Sequence, residues 1–141
     1  MRSSFLFAAI AVAHLGAGTA YARDQAPGEG VLCSEAMISV MAEVGNRCFP
    51  GQDAAAQAAL RHYQEQLDQF ILKDPDWSKA KLAAFKRQQA GVGAKAEAKQ
   101  FCSGDATRMY QSFVHADQQE FRVSMDTLVA RPGKPTWGDC L

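Results

Sequence analysis

The stretch 53-DAAAQAALRHYQEQLDQFIL-72 decides the fold. Its apolar residues Ala56, Leu60, Tyr63, Leu67, Phe70 and Ile71 recur at steps of three and four, the spacing that lines one face of an α-helix. Asp53 stands where an N-cap belongs, and Pro50-Gly51 breaks the chain just ahead of it. The pattern predicts a helix from about Asp53 to Leu72.

Upstream, Cys33, Met37, Val40, Met41, Val44 and Cys48 form a second stripe of the same period. Gly45-Asn46 suggests that the regular part of this helix ends before Cys48. In this phase Glu35 and Glu43 flank the apolar stripe and read as solvated. Downstream, Asp74-Pro75-Asp76 reads as a turn that starts a third helix, with Pro75 in or just before its first turn. Trp77, Ala80, Ala84 and Phe85 are its expected inward residues.

Gln89-Ala90-Gly91-Val92-Gly93 ends that helix. A fourth runs from about Ala94 to His115, with Phe101, Cys102, Met109, Tyr110, Phe113 and Val114 toward the core. Ser103-Gly104-Asp105 is a point where it splits, because Gly is weak in a helix interior and Asp is a good cap. A fifth covers about Asp117 to Ala130, with Phe121, Met125, Leu128 and Val129 inward. Residues 131–141 carry Pro132, Gly133 and Pro135 and read as an irregular tail, in which Trp137 is expected to plug one end of the bundle. No strand-like alternation competes. The reading is an all-α protein, a small four- to five-helix bundle stapled by two disulfides.

The ends of the chain carry the other strong signal. Arg2, the apolar run Phe5 to Ala13 and Ala20-Tyr21-Ala22 form the charged, apolar and small-x-small parts of a secretory leader. Residues 1–22 are therefore expected to be cleaved, leaving 23–141 as a single exported domain in the periplasm or outside the cell. No later stretch has the roughly 18 apolar residues of a membrane span. An exported chain meets an oxidising compartment, where its four cysteines are expected to pair.

Four cysteines allow three connectivities. Cys33 and Cys48 lie about 22 Å apart along one helix at ~1.5 Å per residue, whereas a disulfide needs Cα atoms within about 7 Å. In an up-and-down bundle the third helix returns the chain to the Cys48 end, which favours Cys48–Cys102 and leaves Cys140 to reach Cys33. The alternative, Cys33–Cys102 with Cys48–Cys140, stays open.

Charge excludes some classes. The fifteen basic residues match the fifteen acidic ones, and only Arg2 falls in the leader, so the remainder carries a net charge of −1. That argues against nucleic acid, whose binders show a basic excess. One segment is biased: seven basic residues between Lys73 and Lys99 face three acidic ones.

Motifs for chemistry are sparse. There is no Cys-x-x-Cys, no Cys-x-x-Cys-His, no His-Glu-x-x-His and no Gly-x-Ser-x-Gly. No catalytic residue, cofactor or metal is therefore expected. The leading expectation is a non-enzymatic binding protein of inhibitor or immunity type that meets a protein partner through Trp77, Lys79, Lys81, Lys86 and Arg87. The alternative is a ligand or copper carrier using Met37, Met41, Met109 and Met125, since thioethers suit Cu(I).

Overall fold

The computed structural model describes residues 25–91 and 101–140. The expected leader at 1–22 and the start of the fourth helix at 94–100 lie outside the described residues. Within them the chain is all-helical: α1 Val31–Cys48, α2 Ala54–Ile71, α3 Lys79–Ala90, α4 Asp105–His115 and α5 Gln118–Ala130, followed by an irregular tail.

The second helix folds as its pattern dictates. The buried residues of α2 are Ala56, Leu60, Tyr63, Leu67, Phe70 and Ile71, the stripe read from the sequence. Asp53 occupies the N-cap position in a left-handed conformation (φ 50°) without capping. Its carboxylate instead accepts a hydrogen bond from the Tyr110 hydroxyl at 3.2 Å.

Helix α1 is the spine of the molecule. It packs against α2, α3 and α4, while α5 lies on α2. A helix covered on three sides is buried on more than one stripe, and Val31, Ser34, Glu35, Ile38, Ser39 and Gly45 all lie inside with Met41 and Val44. Two expectations therefore change. Glu35 lies within the buried surface rather than beside it. Gly45 does not end the helix, which continues to Cys48. A Cβ at residue 45 would meet the Tyr110 ring at 3.0 Å, so glycine serves there as a seat for an α4 side chain.

The third helix also differs from its expectation. Ser78, not Pro75, marks its start: the Ser78 hydroxyl accepts from the Lys81 amide at 3.1 Å and caps α3. Leu82 is the buried residue of α3, while Ala80 and Ala84 are exposed and Phe85 and Trp77 half-buried. The expected phase was displaced because α3 has few apolar residues to fix it.

In α4, Thr107, Tyr110 and Phe113 are buried, and the chain turns at Cys102–Gly104 as the Ser-Gly-Asp signal suggests. Asp117 caps α5 by accepting from the Gln119 and Glu120 amides. Met125 is the buried centre of α5.

Both disulfides follow the favoured connectivity. Cys33 pairs with Cys140 (Cα–Cα 5.2 Å) and Cys48 with Cys102 (5.5 Å). The first lays the tail across the entrance to α1. There the Thr136 amide donates to Gly28 O (3.0 Å) and Thr136 O accepts from the Leu32 amide (3.2 Å), satisfying one of the free N–H groups of the α1 N-terminus. Gly30 (φ 80°) allows this approach, since a Cβ would lie 2.2 Å from Asp139 O.

Trp137 does not plug the bundle. Pro135 is the buried tail residue, and Trp137 is 55% exposed. Pro135 has no backbone N–H, so its burial leaves no donor unpaired.

Candidate functional site

The five surface candidates from the sequence do not form one patch. Trp77 precedes α3, and Lys81 and Phe85 follow it at one-turn intervals. The Lys81 ammonium lies 4.6 Å from the centre of the Trp77 ring, a cation–π contact. Phe85 packs edge-on against Trp77 (5.7 Å between centroids) and also meets Trp137 (5.9 Å). Trp77, Phe85 and Trp137 thus make an aromatic ledge with Trp137 outermost. The Lys134–Asp76 ion pair at 2.9 Å fastens the tail beside it. Phe85 and Trp137 complete a feature that the sequence reading placed partly in the core.

Lys79, Lys86 and Arg87 face a different side. With Asp68 they line a groove of about 440 Å³ between α2 and α3 whose apolar walls are Leu72, Leu82 and Ala83. The α3 segment carries four cations and no carboxylate. Of these, Lys86 alone is ion-paired among the described residues.

Lys86 leads into a second feature, a buried charge cluster that the sequence reading missed. Its ammonium is 2.8 Å from one Asp68 carboxylate oxygen and 3.0 Å from the other. It is also 3.6 Å from Glu35 Oε1. Glu35 has 0% of its surface in contact with solvent. Ser39 Oγ donates to Glu35 Oε1 at 3.0 Å, and the Gln64 amide donates to Ser39 Oγ at 3.5 Å. Glu35 Oε2 has no partner among the described residues.

One ammonium therefore serves two carboxylates, one of them dry. Burial pushes the Glu35 carboxyl up to about 7, more than the attraction of Lys86 lowers it, and the nearby Asp68 pushes the same way. A signal for this cluster was present. Val31, Glu35, Ile38, Ala42 and Gly45 also follow helical spacing, and a carboxylate in the middle of that set marks a candidate buried charge.

A wider groove of about 530 Å³ lies over the first half of α2 beside the α4–α5 junction. Four alanines line it beside Asp53, Tyr63, Gln118 and Arg122, and it brings together no catalytic constellation.

The four methionines proposed for copper lie in or against the hydrophobic core. Met41 and Met125 are buried, and Met37 and Met109 are half-buried against the cluster, which is ordinary packing for this side chain. Among the described residues no group of three or more His, Cys, Asp or Glu could hold a metal ion, and no helix is long and apolar enough to cross a membrane. No protein-family model, curated protein or solved structure matches the chain.

Proposed function

We propose that this protein is an exported, non-enzymatic binding scaffold of inhibitor or immunity type, which takes an acidic surface of a protein partner on α3. The observation that carries this reading is the charge of α3. Lys79 and Arg87 stand exposed with no carboxylate paired to them among the described residues, next to a groove with apolar walls. The half-exposed Trp137, on the ledge at the other side of α3, adds a second exposed group, of the residue type most enriched in interface hot spots. The two disulfides support an oxidising compartment, in keeping with the secretory pattern at residues 1–22. Cys33–Cys140 also ties the tail that carries Trp137 to the start of α1, so Trp137 needs little ordering on binding.

The direct test is charge reversal. Lys86 is unsuitable, because Lys86→Glu would set a third carboxylate against Glu35 and Asp68. Lys79→Glu with Arg87→Glu alters the surface alone. The oxidised protein, used as bait on its native cell envelope, is expected to recover one protein in near-equal amount. The double variant is expected to lose at least tenfold of that recovery, through slower encounter and mismatched charge. Equal recovery by the double variant refutes an α3-centred contact.

A further inference from the structure

Glu35 is the one acidic side chain among the described residues that is wholly excluded from solvent. The groups around it come from three helices: Ser39 on its own helix, Asp68 and Gln64 on α2, and Lys86 on α3. No charged group of α4 or α5 enters the cluster. Lys86 is 25% exposed, so one path from Glu35 to water runs past it, between α2 and α3. The helix on that path packs along α1 but buries little of its own surface. Leu82 is the buried residue of α3, compared with six on α2. Besides Leu82, half-buried Phe85 and the Lys86 clamp fasten it.

We propose that Glu35 is a proton-binding site that couples the docking of α3 onto α1 and α2 to pH. Protonated, Glu35 leaves one ammonium for one carboxylate, a neutral Lys86–Asp68 pair, and α3 stays seated. Ionised, it becomes a dry anion with one oxygen unpartnered, and the state in which α3 lifts and water reaches the carboxylate gains population. Stronger attraction to Lys86 opposes the opening, but the loss of hydration is the larger effect at this site. Opening separates Phe85 from Trp137 and moves Lys79 and Arg87 away from the rest of the surface. The switch stands whether or not α3 is the partner-binding face.

Linkage gives the size of the effect. A carboxyl that titrates near 7 when α3 is seated and at 4.5 when hydrated makes opening easier as pH rises. Between pH 5.5 and 8 the opening equilibrium is expected to rise roughly 30-fold.

The experiment is amide hydrogen exchange of the oxidised protein over that pH range, corrected for intrinsic rates, with a carbon-13 carboxyl titration of the same sample. The amides of Leu82–Ala90 are expected to exchange faster than those of the α1 and α2 interior and to lose roughly 30-fold protection by pH 8. The Glu35 carboxyl is expected to titrate near 7. Glu35→Gln, which keeps volume and removes the charge, is expected to abolish the pH dependence of α3 protection. Three results overturn the proposal: α3 amides that open only together with the core, α3 protection that is flat with pH or unchanged in its slope by Glu35→Gln, or a Glu35 carboxyl that titrates in the ordinary range. If Glu35→Gln does not fold, the wild-type exchange and titration decide alone.

Discussion

Glu35 makes the pH dependence of global stability predictable in sign. Its folded value, about 7, lies above the unfolded 4.5, so between those limits the folded protein binds more protons than the unfolded chain. Stability contributed in this way is fully present below about pH 4.5 and is lost as pH rises through 7. The loss amounts to roughly 3 kcal/mol over the full interval. Denaturant unfolding of the oxidised wild type is expected to show a lower midpoint at pH 8 than at pH 5, and Glu35→Gln is expected to remove most of the difference. A wild-type midpoint that rises across this range means that Glu35 is paired well enough to stay ionised inside. This residue escaped the sequence reading for a physical reason. A carboxylate is normally solvated, so the α1 stripe was drawn through Cys33, Met37 and Val40 and past Glu35. Gly45 reads as a helix end because glycine's backbone freedom suits that position, but here its missing side chain gives Tyr110 room.

At the scale of elements, legibility followed the number of apolar residues available to set a phase. The six-residue stripe of α2 fixed both its span and its buried face. The α3 sequence KAKLAAFKRQQA offers Leu82 and Phe85 as its large apolar side chains, too few to choose between neighbouring phases. Tertiary contact made the choice, placing Leu82 inside and leaving Ala80 and Ala84 in water. The five surface candidates divided for a different reason: at 3.6 residues per turn Lys81 projects away from Lys79, Lys86 and Arg87 whatever the phase of α3, so that split was legible in the spacing. Leu82→Ala is therefore expected to cost about 2–4 kcal/mol, most of it as local loosening of α3. Ala84→Ser, on the exposed face, is expected to change stability by less than about 0.5 kcal/mol. Far-ultraviolet circular dichroism with limited proteolysis checks both: Leu82→Ala is expected to be cut first within α3, and Ala84→Ser to match wild type. Equal resistance of the two variants means that Trp77, Phe85 and the Lys86 clamp hold α3 without Leu82.

For the whole molecule, both bridges converge on α1, one at Cys33 and the other at Cys48, so the spine is stapled at each end. This part of the design was legible because helix length alone forbids a Cys33–Cys48 bond, and an up-and-down path brings Cys102 to the Cys48 end. The two bridges have different structural tasks. Cys48–Cys102 fastens the end of α1 near the Phe49–Tyr110 stack (5.2 Å between centroids), packed against the core. Cys33–Cys140 closes a span of 107 residues but fastens only the tail to the start of α1. Chain entropy assigns either bridge roughly 4–5 kcal/mol, yet the native state loses different things without them. Cys48→Ser with Cys102→Ser is expected to lower stability by about 2–4 kcal/mol, with every structural probe moving together. Cys33→Ser with Cys140→Ser is expected to lose less cooperatively. The tail then rests on the Thr136–Gly28 and Leu32–Thr136 hydrogen bonds, buried Pro135 and the exposed Lys134–Asp76 pair. Exposed ion pairs contribute little, so the tail frays before the helices melt. In that variant the Thr136 amide is expected to approach free exchange while α2 amides stay protected, and Trp137 emission is expected to shift toward that of a fully hydrated indole. A Thr136 amide that stays protected shows that Pro135 and the paired backbone seat the tail by themselves. In that case the bridge acts mainly on the unfolded chain, and Trp137 keeps its place on the ledge without it.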